Sequence, residues 1–220
     1  MPDPARVHLN LWKQHLGCVP DWVWQQTELE TLVLADNDLA GISPQIGHLK
    51  KLRMLDLGHN RLTRLPDEVG DLDALSDFLY LHDNRLATLA PSLTRLTRLR
   101  YLNISENAFE DFPECVCGME SLIELRASDN GLTALPNRIG CLSCLRELHL
   151  RNNRLTTVPD SIGMLRELRQ LDLRGNPLIH LPLVIAELPR LDKLDLRWIP
   201  SLTPPPWFAM LECRGCVIYR

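Results

Sequence analysis

The sequence has few aromatic residues: Phe, Trp and Tyr together make up 5% of its 220 positions. Any place where they gather is therefore informative. It also lacks a charge excess, with 24 Lys+Arg against 28 Asp+Glu and a formal net charge of −4. A general nucleic-acid or membrane-surface binder needs a basic surplus, so neither partner is expected. No apolar run reaches the roughly 20 residues that a transmembrane helix requires. The stretch from Met1 to Leu11 shows no basic segment followed by an apolar one, the pattern of a secretory leader. The sequence alone thus points to the cytoplasm, although a protein exported without such a signal reads the same. There is no glycine-rich phosphate loop, no His-Glu-x-x-His helix and no nucleophile elbow. His59, His82 and His149 stand apart with no nucleophile beside them, and no stretch is left over for an enzymatic domain. Neither catalysis nor a cofactor is expected.

Cysteine is present but does not form a framework. The seven residues are odd in number and scattered, unlike a disulfide scaffold. Cys141-x-x-Cys144 and Cys213-x-x-Cys216 have metal-ligand spacing, and Cys115-x-Cys117 lies one repeat before the first pair. A zinc set of Cys115, Cys117, Cys141 and Cys144 can be drawn from these. However, Cys144 adjoins Leu145, the start of an apolar frame, and cysteine is a good small core residue. No metal is expected, and an oxidised Cys117–Cys141 link has no better support.

What the sequence does have is a repeat. Asn37, Asn60, Asn84, Asn107, Asn130, Asn153 and Asn176 follow one another at 23 residues, with one step of 24. Before each lies the same apolar frame, as in Leu52, Leu55 and Leu57 before Asn60, or Leu145, Leu148 and Leu150 before Asn153. After several comes a Leu-Pro or Val-Pro pair, such as Leu65-Pro66, Leu135-Pro136 and Val158-Pro159, and then Ile139-Gly140 or Ile162-Gly163. The alternation at Leu55-x-Leu57 has period two and predicts a short strand with one face inward. The Asn amide can satisfy backbone groups left unpaired by the sharp turn that follows, and stacked turns would make a ladder of such amides. Proline stops the strand and sets φ for a short helical start. One unit cannot bury its leucines, but a stack of them can.

This frame resembles the leucine-rich-repeat family, in the 23-residue form of its intracellular signalling and bacterial members, over roughly residues 6 to 205. The resemblance implies an α/β solenoid: a curved parallel sheet on the concave face, with short helices or 3₁₀ turns on the convex one. It also implies protein recognition. The expected organisation is one continuous domain: a degenerate capping coil over 1–28, repeats over 29–198 and a C-terminal cap over 199–220. In the first coil Gln14 takes the Asn position, and Trp22 and Trp24 are expected to cover the end of the core. In the last, Ile199 replaces the Asn, and Val217-Ile218-Tyr219 suits an edge strand or a lid. The 24-residue step places an extra residue near Ser76 to Phe78, either as a bulge or as a tolerated loop insertion.

The residues between the inward leucines should face the concave side in three columns. Met54, Phe78, Tyr80, His82 and Tyr101 gather aromatic side chains on the middle coils, where interface anchors would stand, next to Asn103. Ordinary packing of β-favouring residues is the plainer alternative. Arg126, His149, Arg151, Arg174 and Arg197 mark the later coils, with Glu124, Glu147, Asp172 and Asp195 in adjacent columns. These form either a self-neutralised lattice or a docking stripe suited to bidentate contacts. The expected function is a non-catalytic scaffold or adaptor, monomeric, holding another protein. Alternatives are a substrate-selecting component for a separate kinase or ubiquitin ligase, as in bacterial effectors, and a self-associating structural protein.

Overall fold

The computed structural model describes residues 7–220. Residues 1–6 of the expected capping coil lie outside them. Ten strands of three residues form one open, fully parallel sheet in chain order: β1 (His8–Asn10), β2 (Thr31–Val33), β3 (Met54–Asp56), β4 (Phe78–Tyr80), β5 (Tyr101–Asn103), β6 (Glu124–Arg126), β7 (Glu147–His149), β8 (Gln170–Asp172), β9 (Lys193–Asp195) and β10 (Val217–Tyr219). The register never slips. Leu9, Leu32, Leu55, Leu79, Leu102, Leu125, Leu148, Leu171 and Leu194 stand in one column, each at most 2% exposed. Their neighbours on either side form the outward columns, as period-two alternation requires.

On the opposite side, eight 3₁₀ segments run from Asp21–Gln25 to Leu183–Glu187 among the described residues. Five residues between a proline or cap and the next leucine allow a tight 3₁₀ turn but not a settled α-helix. The Val-Gly and Ile-Gly pairs have a packing reason. A Cβ on Gly70 would stand 2.4 Å from the Ser92 carbonyl oxygen, and one on Gly140 2.7 Å from that of Ser161. Successive coils touch there, backbone against backbone. The leucines, the central Ile or Val of each turn, and Phe109 form one continuous core.

The asparagines tie each coil to its predecessor. Asn60 Nδ2 donates to the carbonyls of Leu34, Leu57 and Gly58 at 3.0–3.1 Å, while its Oδ1 accepts from the amides of Asn37 and Leu39. Asn153 repeats the scheme four coils later in the stack, donating to Ala127 and Leu150 and accepting from Leu132. Asn107 and Asn130 make the same bonds but are only half-buried. The residue just before each of these positions is left-handed: Asp36, His59, Asp83, Glu106, Asp129, Asn152 and Gly175 have φ between 50° and 67°.

The extra residue of the 24-residue step is absorbed ahead of β4. The amides of Ser76 and Asp77 both bond the Arg53 carbonyl, and the pairing Met54↔Phe78↔Tyr101 is undisturbed. At the N-terminal end, Trp24 is 2% exposed and joins the core, but Trp22 is 41% exposed. Only one of the two tryptophans therefore covers the core; at three residues per turn, Val23 and Trp24 face inward and Trp22 falls on the third, outer side. At the other end, α1 (Phe208–Cys213) packs Phe208 and Leu211 onto the core, and β10 extends the sheet beside β9.

Candidate functional site

The aromatic residues of the first two columns meet. Phe78 and Tyr80 stack at 5.8 Å between ring centroids, 9° from parallel. Tyr101 lies 5.4 Å from Phe78 and 5.1 Å from Tyr80. His82 continues the run at 6.0 Å from Tyr80. Phe78 is 41% exposed, whereas the other rings are half-buried. Met54 is the register neighbour of Phe78. Asn103, across from Tyr80, turns its Oδ1 onto the Ser105 amide. Beside the patch, Phe78, Tyr101, Arg100 and Glu124 line a shallow depression of about 240 Å³. Burial pushes the Tyr101 hydroxyl up to about 12. Burial, with the nearby Asp56 and Glu124 carboxylates, raises Tyr80 as well.

His82 has room because Gly58 lacks a side chain: a Cβ there would stand 2.5 Å from the imidazole Cε1. Its Nε2 lies 3.2 Å from His59 Nε2, and His59 Nδ1 lies 2.7 Å from Asp83 Oδ2. Burial, and then His59, hold the His82 pKa below its ordinary value. A histidine oriented by a carboxylate is the base half of a nucleophilic dyad. Here the group on His59 Nε2 is a second imidazole and not a hydroxyl or thiol.

The later coils carry charge. Arg174 forks onto Asp172, Nε–Oδ1 2.9 Å and Nη2–Oδ2 2.6 Å, and also reaches Asp195 at 3.5 Å. Arg197 bonds Asp195 through Nε and Nη2 at 3.0 and 2.8 Å. Trp198, 65% exposed, lies between them, 5.9 Å from Arg174 and 5.7 Å from Arg197. Arg126 bonds Glu124 at 2.6 Å. Arg151 bonds Asp129, in the left-handed column, instead of the neighbouring Glu147. Glu147 is met by His149 Nε2 at 3.2 Å, and that nitrogen also lies 3.9 Å from Glu124 Oε1. Arg126, Arg174 and Arg197 thus pair with carboxylates of the adjacent column, as the repeat frame suggests, and Arg151 departs from it.

The cysteines form no disulfide. All seven are free; Cys117 and Cys216 are buried, whereas Cys141 and Cys144 are exposed and not in the core. The His, Cys, Asp and Glu side chains that converge at ligand distance among the described residues are Glu124, Glu147 and His149, with no cysteine among them.

A stack of 23-residue coils, with an open parallel sheet on one face and 3₁₀ turns on the other, is a leucine-rich-repeat solenoid. The chain belongs to the leucine-rich repeat family: the family described as Leucine rich repeat matches residues 27–86, 77–132 and 142–198, and that described as Leucine Rich repeats (2 copies) matches 120–163. No curated protein matches it. Among solved structures, a leucine-rich-repeat protein of Leptospira interrogans is 27% identical with a TM-score of 0.72, over 95% of this chain and 65% of that one. An internalin of Listeria monocytogenes shares the fold at 22% identity and a TM-score of 0.82, over 96% of this chain and 60% of its own. The ectodomain of the Arabidopsis thaliana membrane receptor kinase GASSHO1/SCHENGEN3, solved in complex with CASPARIAN STRIP INTEGRITY FACTOR 2, is 31% identical with a TM-score of 0.77, over 87% of this chain and 24% of that one. The chain therefore spans less than two thirds of each of these structures. Among the described residues no helix is long and apolar enough to cross a membrane.

Proposed function

We propose that this chain is a non-catalytic protein-binding module, an adaptor that acts as a monomer in the cytoplasm and seats a protein partner on its concave sheet. The observation that carries this reading is the continuous run of rings formed by Phe78, Tyr80, Tyr101 and His82 on the outward columns. A chain with so few aromatic residues places these on a face that its own core does not need. Anchors of protein interfaces are enriched in such side chains, near the centre of a patch with a polar rim. Met54 and Asn103 border the rings, and Arg126, His149, Arg151, Arg174 and Arg197 form the charged side of the face. The family is commonly used for protein recognition, and the plant structure holds a second protein factor.

The test is affinity capture with the wild type and with a Tyr80→Ala/Tyr101→Ala variant whose circular dichroism matches it. A partner retained by the wild type and lost by the variant supports the reading. Equal capture by both would reduce the rings to sheet packing. Light scattering at high concentration checks the monomer, and a stable dimer would count against it.

A further inference from the structure

We propose that Glu124, Glu147 and His149 form a binding site for a divalent transition-metal ion, zinc above all, on the concave face. The site is independent of whether the aromatic patch takes a partner.

The geometry comes from the repeat. Glu124 opens β6 and Glu147 opens β7, and the two are direct register partners; His149 ends β7 on the same outward side. One ligand atom from each can be chosen so that all lie within 4.8 Å of one another. His149 Nε2 is 3.2 Å from Glu147 Oε2 and 3.9 Å from Glu124 Oε1. Two ligands held at about 2.0–2.1 Å on a tetrahedral zinc stand roughly 3.4 Å apart, so the first two spacings already bracket that value. The third spacing, between the two carboxylates, is within 4.8 Å, and Glu147, 33% exposed, has room to turn.

Charge gives a second, separate argument. Asp172 and Asp195 are also register partners on neighbouring strands, and two arginines answer them, Arg174 and Arg197. Glu124 and Glu147 have one arginine in contact, Arg126, which bonds Glu124 alone. Where the second guanidinium would stand there is an imidazole, whose Nε2 faces both carboxylates. Neutral histidine can satisfy one of them with one proton. A dication bound by its lone pair satisfies both and cancels the two charges; Arg126 Nε, which holds the Oε1 atom that faces His149, would move to the other Glu124 oxygen or into solvent.

The donor set sets the class of ion. One imidazole and two carboxylates, with no thiolate, suit zinc, cobalt or nickel better than the all-oxygen preference of magnesium or calcium. Three protein ligands leave a fourth position open, as in sites that take up an outside group. The side chains of His149, Glu124 and Glu147 are 18%, 21% and 33% exposed, so that position is reachable from the concave side. The ion would pin β6 to β7 and offer a partner's carboxylate or imidazole a coordination bond.

Isothermal titration of chelator-treated protein with zinc chloride, and cobalt(II) spectra of the same samples, test this. The expected result is one ion per chain in the wild type and a cobalt spectrum without thiolate charge transfer. His149→Ala and Glu147→Gln should each weaken binding by at least the roughly tenfold to hundredfold that loss of an outer-shell partner costs. A His59→Ala/His82→Ala variant, which removes the other imidazole pair, should bind as the wild type does. Circular dichroism and thermal melting establish that each variant is folded; Glu147→Gln keeps the shape of its side chain and serves if His149→Ala does not fold. No binding by the wild type, binding unaffected in the folded variants, loss in the His59/His82 variant, or a thiolate band would each overturn the site.

Discussion

The middle and the C-terminal coils use the same three outward columns and fill them in opposite ways. In β4 and β5 the columns hold rings whose faces are turned to solvent or to each other. In β8 and β9 they hold arginines and aspartates that already spend their hydrogen bonds on one another; Asp195 has a side chain only 2% exposed, beneath Arg174 and Arg197. A guanidinium forked onto its own aspartate must break that pair before it can grip a partner. A ring edge or face need break nothing. The backbone therefore decides where a contact surface can be, and the side chains decide how much of its bonding capacity remains available.

The largest effect should come from removing what the two regions share. Asn153→Ala deprives the Ala127 and Leu150 carbonyls and the Leu132 amide of their partner in a buried ladder. At about 1–3 kcal/mol for an unsatisfied buried group, a loss of about 3 kcal/mol is expected. Urea unfolding measures it, and a midpoint equal to the wild type's would show that the ladder is dispensable. The aromatic pair comes next. Tyr80→Ala/Tyr101→Ala should cost a partner complex about 2 kcal/mol or more, the scale of interface anchors, with the charged lattice intact. The comparison breaks if Arg174→Ala/Arg197→Ala abolishes binding and the tyrosine variant does not.

Asp195→Ala attacks the other region and should lower stability by about 1.5 kcal/mol, since charge-assisted bonds from two arginines are lost. The same lattice should weaken in acid. Burial raises the Asp195 pKa, but the hydrogen bonds from Arg197 and the nearby Arg174 outweigh it and hold the group below 3.8. Its contribution is thus complete above 3.8 and disappears as pH falls through the lowered folded value. Denaturation at a series of acidic pH values should show a shallower loss for Asp195→Asn than for the wild type. The smallest effect belongs to the middle coils in alkali. Tyr101 ionises at about 12 when folded, above its ordinary 10, so stability is unaffected below pH 10 and falls as pH rises between those values. Ultraviolet titration of Tyr101→Phe against the wild type should remove the late-ionising phase; an unchanged curve would place that phase elsewhere.

The repeat made the columns legible in advance, because period two and a 23-residue step determine which residues stand side by side. Phe78, Tyr80 and Tyr101 fall next to one another for that reason alone. Contacts along the diagonals were not legible in the same way. Arg151 choosing Asp129, His59 lying between Asp83 and His82, and His149 facing two glutamates all depend on side-chain rotamers and on the left-handed residue that turns each coil. That residue carries a weak signal, since Asp, Asn, Gly, His and Glu all occupy it, and of these Gly, Asn and Asp visit such φ most readily. The split between Trp22 and Trp24 needed the direction of a 3₁₀ turn that proline and spacing leave open. The extra residue near Ser76 had two readings until the pairing of β4 with β3 placed it ahead of the strand.

The asparagine ladder also has a mechanical meaning. Each rung joins one coil to the one before it, through bonds between residues 21 to 27 positions apart, and among the described residues no bond of the ladder skips a coil. A pull applied to the two ends would therefore load the rungs in series, and the outermost would yield first. Each coil released would add about 80 Å of slack, at roughly 3.5 Å per extended residue. Under tension the molecule would pay out its length in even steps, like a ratchet let go one tooth at a time.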